Sequence, residues 1–315
     1  MTSTISINRY TSRDKEAWDN FIARAKNGVF LFYRDYMDYH ADRFVDHSLM
    51  FFGADDALLA VMPANINGDV LSSHGGLTFG GIITDSCMKT SLMLELFETL
   101  KCFLQSAKIQ RLVYKAIPHI YHQMPAEEDL YALYRVGAKL FRRDVSTTID
   151  LQTKLSFSKG RKYEIKQAQK HELEVKRSKA FDVFMAIEEL VLDTKYDSKP
   201  THTAAELGML AEKFPEAIKL FVATRNNETL GGVVIYESQN VAHAQYIAAS
   251  DEGKKVGALD LILNYLISDY CSGKKYFDFG ISTVNNGREL NLGLIENKQS
   301  FGGRAVVYDF YELEI

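Results

Sequence analysis

The chain has little of what usually marks a protein's class. It contains 5 prolines, 3 cysteines and 1 tryptophan in 315 residues. With so few prolines there is no proline-rich or low-complexity linker, and domain boundaries have to be read from pattern. Cys87, Cys102 and Cys271 are scattered, form no CxxC pair and build no disulfide framework, so a reducing cytoplasm is the expected compartment. No apolar run approaches the ~20 residues that span a bilayer. The opening MTSTISINRYTSRDKEAW has no apolar signal-peptide core. A net charge of -4 argues against wholesale coating of nucleic acid, though not against a local basic patch. What is there, 46% hydrophobic and 25% charged, is ordinary globular composition long enough for two domains.

Periodicity gives an order of elements. A short alternating strand at Ile5–Tyr10 precedes a helix at Asp14–Ala25, with Ser12 as a candidate cap. Three strand-like runs follow (HSLMFFG, ALLAVMPANI and DVLSS), then the glycine-rich HGGLTFGG at 74–81. Met93, Leu96, Phe97, Leu100 and Leu104 recur at helical spacing. The strand RLVYKAI, a helix at Glu127–Arg135 and the extended KLFRRDVSTTIDL close the first half. The second half opens on a basic helix, Lys159–Lys170, and the short strand LEVKRS. Helices at Phe181–Leu192 and Ala204–Phe214 lead to three strands, IKLFVATR, LGGVVIYES and VAHAQYIAAS. A long helix carries Leu259, Ile262, Leu263, Leu266, Ile267 and Tyr270 on one stripe. The strand YFDFG, a helix near Glu289–Ser300 and the strand RAVVYDFYEL complete the chain.

The halves repeat. LLAVMPANING sits where LGGVVIYESQN recurs, RLVYKAI where KYFDFGI recurs, and YRVGAKLFRRD where NKQSFGGRAVV recurs. This reads as two duplicated units, 1–150 and 151–315, with a cleft between them. Strands and helices do not alternate strictly, so a doubly wound parallel sheet is excluded. The expected fold class is α/β with a mixed sheet, of acetyltransferase type.

Four segments carry a family resemblance: GVFLFYRDYMDYH at 28–40, SFSKGRKYEIKQAQKHELEV at 156–175, KKYFDFGIS at 274–282 and NKQSFGG at 297–303. In this order the chain resembles the FemAB-like branch of the GNAT superfamily, more clearly after residue 150. The resemblance implies tandem GNAT-like domains and transfer of an acyl group to an amine. It implies no tightly bound cofactor, with acyl-CoA or aminoacyl-tRNA as co-substrate, and a small-molecule or cell-envelope-precursor acceptor. It also marks Lys298, Phe301 and Gly302 as the family's Lys-x-x-Phe-Gly motif. Lys298 is thereby the group expected to meet a donor phosphate or a developing oxyanion, with Arg304 close behind.

For SDEGKKVGALDL the resemblance implies the pyrophosphate-cradling turn that CoA-dependent relatives carry at a helix N-terminus: Lys254 and Gly257 fit its first two key positions, and Leu259 stands where a small residue is expected; the stretch also reads as an ordinary loop. The other candidates follow from residue chemistry. Residues 154–179 hold nine Lys or Arg against three Glu, and Lys162, Lys166 and Lys170 share a helix stripe. With Arg161, Lys162 and Lys166 are candidate binders of a polyanionic donor, tRNA included; a solvated basic face is the plainer alternative. Asp278 is a candidate base or amine-orienting carboxylate, or a structural one. Arg34, His74, Gly75, Gly76, Thr78, Tyr246 and Ser282 are candidate substrate-cleft residues. HGGLTFGG is not a lipase oxyanion loop, because no Gly-x-Ser-x-Gly elbow accompanies it. Asp278-Phe279-Gly280 is not a kinase signature, because no catalytic His-Arg-Asp loop exists. His119 and His122 lack a third ligand at metal-site spacing, so no metal is expected. The rival readings are an acetyl-CoA-dependent N-acetyltransferase of an amino sugar and a non-catalytic ligand-binding module.

Overall fold

A computed structural model describes residues 5–196 and 198–315. The chain divides into two compact units. One comprises Met1–Asp144, Asn285–Glu289 and Val307–Ile315, the other Val145–Val284 and Leu290–Val306. The expected division at 150 follows chain order; the contacts return the last residues of the chain to the first unit.

The first unit runs β1 (Ser6–Arg9), α1 (Lys15–Arg24), α2 (Arg34–Met37), β2 (Val45–Asp46), β3 (Leu49–Phe52), β4 (Leu58–Met62), β5 (Asn65–Asn67), β6 (Val70–Ser72), β7 (Ile83–Thr84), α3 (Thr90–Ser106), β8 (Arg111–Lys115), α4 (Glu128–Arg135) and the start of β9 (Lys139–Asp150). One sheet has the order β1-β3-β4-β7. The run ALLAVMPANI, expected as one strand, is two. Pro63 lacks the N–H that a ladder needs, so β4 stays with β3 while β5 turns away to pair with β6. Thr11, not Ser12, makes the capping box with Asp14 ahead of α1. The predicted stripe of α3 is buried as expected, from Met93 to Leu104, against Leu49, Phe51, Leu112 and Tyr114. Each fully buried side chain of this kind contributes roughly 1.5–3 kcal/mol.

The second unit begins with the end of β9 and runs α5 (Lys159–Ala168), β10 (Glu174–Ser178), α6 (Phe181–Tyr196), α7 (Ala204–Lys213), β11 (Ile218–Arg225), β12 (Glu228–Glu237), β13 (Val241–Ala249), α8 (Asp251–Lys255), α9 (Ala258–Ser268) and β14 (Tyr276–Ile281). A small hairpin, β15 (Thr283–Val284) with β16 (Glu289–Leu290), precedes α10 (Leu292–Gln299) and the final strand β17 (Arg304–Glu314). Its strands order β10-β11-β12-β13-β14-β9. β11 is buried at seven of its eight positions because helices cover both sheet faces. On one face Phe184 of α6 lies over Gly232, where a Cβ would meet its ring at 2.6 Å. On the other, Ile262, Leu263, Leu266 and Ile267 of α9 pack with the neighbouring Val233 and with Phe277.

Each unit contains a parallel strand pair, β6 with β8 and β13 with β14. Parallel neighbours need a long crossover, and α3 and α9 supply it.

Candidate active site

The site in the second unit starts from a register defect. β13 carries an extra residue opposite Val234 and Ile235, so Tyr246 faces Val234 while Ala244 faces Ile235. A bulge of this kind bends and twists its strand. β13 accordingly pairs with β14 only at Val241, Ala242 and His243, although it runs on to Ala249. Beyond His243 the strands part, and a cavity of about 370 Å³ opens between Ile247–Ala249 on one side and Phe279 on the other. Its wall also includes Glu188 and Val191 of α6, Lys254, Gly257 and Asp260 at the α8–α9 turn, Arg161 of α5, and Lys298 and Phe301. The opening therefore runs from the α6 face of the sheet to the α9 face.

Gly257 stands at the N-cap of α9 with φ 71°, and a Cβ there would meet the Ala168 Cβ at 2.7 Å. Glycine avoids both the left-handed strain and the clash. The first N–H groups of α9 face no helical partner and carry the positive end of its dipole toward the cavity mouth. Lys254 lies beside them, exposed and ion-paired with Asp251 at 2.9 Å.

Lys298 is buried, although it lies in a helix that is otherwise largely exposed. Its Nζ donates to the carbonyls of Gly280 and Ile281, both at 2.8 Å. Gly280 has φ 74°, the bend that turns these two carbonyls toward the ammonium. An ammonium has three donors, so one N–H remains. Burial pulls its pKa down to about 8, with the Asp278 charge opposing the shift. Asp278 is wholly buried. Its Oδ1 accepts from Ser146 at 2.5 Å and Thr148 at 2.7 Å, and its Oδ2 bonds His243 Nδ1 at 2.7 Å. Burial raises its pKa, but the His243 bond and charge, with the two hydroxyl donors, outweigh that and hold the carboxyl below its usual range. Asp278 cannot touch a substrate; it locks β9, β13 and β14 together and orients the His243 ring. Of the readings open for Asp278, this geometry favours the structural carboxylate over the base.

The remaining candidates do not converge on one place. Arg161 does reach the cavity, but its guanidinium is engaged: it pairs with Asp260, bonds Ser300 Oγ at 3.0 Å and lies over the Phe301 ring at 4.2 Å. Lys162 and Lys166 point elsewhere, into a separate depression of about 450 Å³ lined also by Lys154, Phe157 and Asn264. Arg161, Lys162 and Lys166 are therefore not one patch. Arg304 is exposed and bonds the Gly303 carbonyl. Tyr246 bonds His202 Nδ1 at 2.6 Å, pinning β13 to the segment before α7. Ser282 is buried with its Oγ unpartnered. Arg34, in the first unit, is a buried hub that pairs with Asp38 and Asp46 and stacks on Tyr10. His74 is buried against His40, 5.0 Å centroid to centroid, and burial with the nearby His40, Lys115 and Arg34 charges drives its pKa to about 3. Gly75 and Gly76 pack under Phe44, and Thr78 is exposed. Among the described residues no group of three or more His, Cys, Asp or Glu side chains is placed to hold a metal.

Residues 157–286 match the acetyltransferase (GNAT) domain family. Over that stretch the chain is similar to the GNAT acetyltransferases. The match lies almost wholly in the unit that holds the cavity. At the level of whole sequence no curated protein matches. Among solved structures the chain has the fold of FemX, with a TM-score of 0.67 at 11% identity over 96% of both chains. It is also similar to the C-terminal domain of a putative lysylphosphatidylglycerol synthetase from Agrobacterium fabrum, with a TM-score of 0.57 at 10% identity over 85% of this chain and 83% of that one. A tandem GNAT protein from the clavulanic acid biosynthesis pathway gives a TM-score of 0.50 at 9% identity over 98% of both. No helix of the described residues is long and apolar enough to cross a membrane.

The cavity of the second unit is lined by two acidic groups that sequence reasoning passed over, Glu188 and Asp260, and His243 stands near it on β13. Glu188 left a signal: it continues the buried stripe of Phe181, Phe184 and Met185 at helical spacing, where a leucine would be ordinary.

Proposed function

We propose that the protein moves an acyl or aminoacyl group from a phosphate-bearing carrier to an amine acceptor, in the synthesis of a cell-envelope or surface-polysaccharide precursor. The observation that carries this reading is the parting of β13 from β14 beside the α9 N-terminus. Ile247–Ala249 of β13 lie beyond the pairing with β14 and line the cavity, where their backbone can bond an extended carrier arm. The α9 N-terminus, Gly257 and Lys254 suit the carrier's phosphates. In the reaction the amine nitrogen attacks the carrier-linked carbonyl carbon. The new C–N bond forms, the bond to the carrier's sulfur or oxygen breaks, and no covalent enzyme intermediate is needed. The unspent N–H of Lys298 supplies positive charge to the carbonyl oxygen as it becomes an oxyanion.

Two likenesses support an aminoacyl donor: the sequence resemblance to FemAB-like proteins, and the fold shared with a putative lysylphosphatidylglycerol synthetase. A second reading, acetyl-CoA-dependent acetylation of an amino sugar, is favoured by the glycine turn at Gly257.

The test is a thermal-shift panel of acetyl-CoA, longer acyl-CoAs, aminoacyl-tRNA and nucleotide sugars. A ligand that binds only the native state raises the Tm. An acyl-CoA or aminoacyl-tRNA should do so, and Gly257→Val should abolish the shift. If neither class of donor shifts the Tm, the reading fails.

A further inference from the structure

Glu188 is an unusual residue to find in the wall of this cavity. It sits in the middle of α6, is 7% exposed, and has a carboxylate oxygen, Oε2, buried without any hydrogen-bond partner. Carboxylates are rarely fully buried without a pair, because stripping water from the charge is expensive. The charged groups that line the same cavity are Arg161 on α5, Lys254 on α8, Asp260 on α9 and Lys298 on α10. Three of them are already engaged, Arg161 with Asp260 and Lys254 with Asp251, and Lys298 is turned to the carbonyls of Gly280 and Ile281. Burial alone accounts for the Glu188 shift, which takes its pKa to about 7, with no neighbouring charge offsetting it. Its place in the sheet is equally specific. α6 covers the face opposite α9, so Glu188 enters the opening from the side away from the Gly257 turn.

We infer that Glu188 is the acceptor-side catalytic residue: its carboxylate binds the incoming ammonium group and takes the proton that must leave before the nitrogen can attack. This rests on the acyl-transfer reading above and adds the acceptor's class, a primary amine that arrives charged. The protons balance. An ammonium gives one proton to the Glu188 carboxylate, leaving a neutral amine. That amine bonds the carbonyl carbon, and its second proton leaves with the departing thiolate or alkoxide as the carrier bond breaks. Glu188 then returns its proton to solvent. His243 is the less suitable base, because it does not line the cavity.

The group can be followed directly in the full-length protein by carbon-13 NMR of labelled glutamate carboxyls, with Glu188→Gln assigning the resonance. Glu188 should titrate near pH 7. Ethylammonium chloride, the smallest probe with the acceptor's headgroup, should lower that midpoint by about half a pH unit or more, since an adjacent cation favours the carboxylate. Potassium chloride at the same concentration should not. A midpoint in the ordinary carboxylate range, or no response to ethylammonium, overturns the inference. With whichever of acetyl-CoA or aminoacyl-tRNA supports transfer, Glu188→Gln should lower kcat/KM by about 100-fold or more and erase the acidic limb of the pH profile, and Glu188→Asp should restore part of the rate. Wild-type rates in Glu188→Gln overturn the inference and leave the acyl-transfer reading standing. If no donor supports transfer, that reading fails, and the titration still decides whether Glu188 receives an amine.

Discussion

Each unit holds a buried lysine that feeds its ammonium into backbone carbonyls next to a parallel strand pair. In the first unit it is Lys115, at the end of β8. It donates to the carbonyls of His74 at 3.2 Å, Gly75 at 3.4 Å and Leu77. In the second it is Lys298, with two carbonyl partners. Burial pulls both down to about 8. The difference lies in what occupies the strand gap. In the first unit HGGLTFGG folds back beside β8: Ser73 N–H donates to Val113, Gly80 N–H donates to the Lys115 carbonyl, and Ser73 Oγ accepts from the Lys115 N–H. Every donor of Lys115 is spent on that loop. In the second unit no described residue fills the gap, one donor of Lys298 is unspent, and a cavity stands in place of the loop. The same local device therefore stabilises a loop in one unit and is left poised beside a cavity in the other.

The largest expected effect breaks this symmetry outright. Lys298→Met should lower transfer by about 100-fold or more, the scale of losing one oxyanion-stabilising group. It should also lower stability, because the Gly280 and Ile281 carbonyls lose their donor, and a buried unsatisfied group costs about 1–3 kcal/mol. Lys115→Met should destabilise at least as much and leave kcat of the folded fraction unchanged. Denaturant titration with turnover normalised to folded protein separates the two, and normal turnover by Lys298→Met would remove it from the chemistry. Lys139, in the first-unit stretch that recurs as NKQSFGGRAVV, is instead exposed at the start of β9, and its replacement by Met should change stability by less than about 0.5 kcal/mol.

Glycines give the next contrast. Gly80 would place a Cβ 2.0 Å from the Ser73 carbonyl oxygen, where backbone meets backbone and nothing can give way. Gly80→Ala should therefore destabilise the first unit by about 3 kcal/mol or more and leave donor binding by the folded protein intact. Gly257→Val should also destabilise, through left-handed strain and the clash with the Ala168 methyl, but lose the donor-induced rise in Tm of whatever protein stays folded. Equal donor shifts in Gly257→Val and wild type would place the carrier elsewhere.

Raising the pH treats the two lysines alike in stability and differently in rate. The unfolded chain's lysines titrate near 10.5, the buried ones near 8. Between those values the unfolded state binds more protons, so stability should rise with pH from about 8 to 10.5 and gain nothing from these groups below 8. Lys115→Met should remove part of that rise. Transfer should instead fall above pH 8 in both wild type and Lys115→Met as Lys298 loses its charge. Residual activity in Lys298→Arg should show no such limb, because a guanidinium stays charged. A limb that persists in Lys298→Arg assigns it to another group.

The fold was more legible than the site, for a physical reason. Helical stripes such as Met93 to Leu104 and the all-apolar β11 register burial directly in the sequence. The family motif likewise pointed to Lys298, which lines the cavity. Partner choice is not written locally. Asp278 looked like an available carboxylate because nothing near it in sequence announces Ser146 and Thr148, which reach it from β9. Arg161 looked free because Asp260 lies 99 residues away. His74 and Arg34 looked functional because polar groups on glycine-rich or aromatic segments attract attention, yet both are buried structural groups of the first unit. Glu188 was hidden in the opposite way, inside an apolar helix face.

The smallest expected effect concerns the lysines of α5, and it distinguishes the two carrier classes. Lys162 and Lys166 are exposed and share their depression with Lys154, separate from the cavity that holds Lys298. A compact carrier bound at the Gly257 turn has no reason to reach them. A tRNA-linked carrier presents phosphates well beyond its reactive end, and a basic helix at the surface of the same unit is suited to meet them. Lys162→Glu with Lys166→Glu should therefore leave the Tm shift by acyl-CoA unchanged. The same pair should weaken aminoacyl-tRNA binding several-fold and make its dependence on log salt shallower by about 2, roughly one unit per lost phosphate contact. Filter binding across a potassium chloride series reads both quantities. Exposed lysines contribute through solvent-screened charge, so the loss should be largest at low salt and fade as ionic strength rises. An unchanged salt slope would reduce α5 to a solvated face and favour the compact carrier.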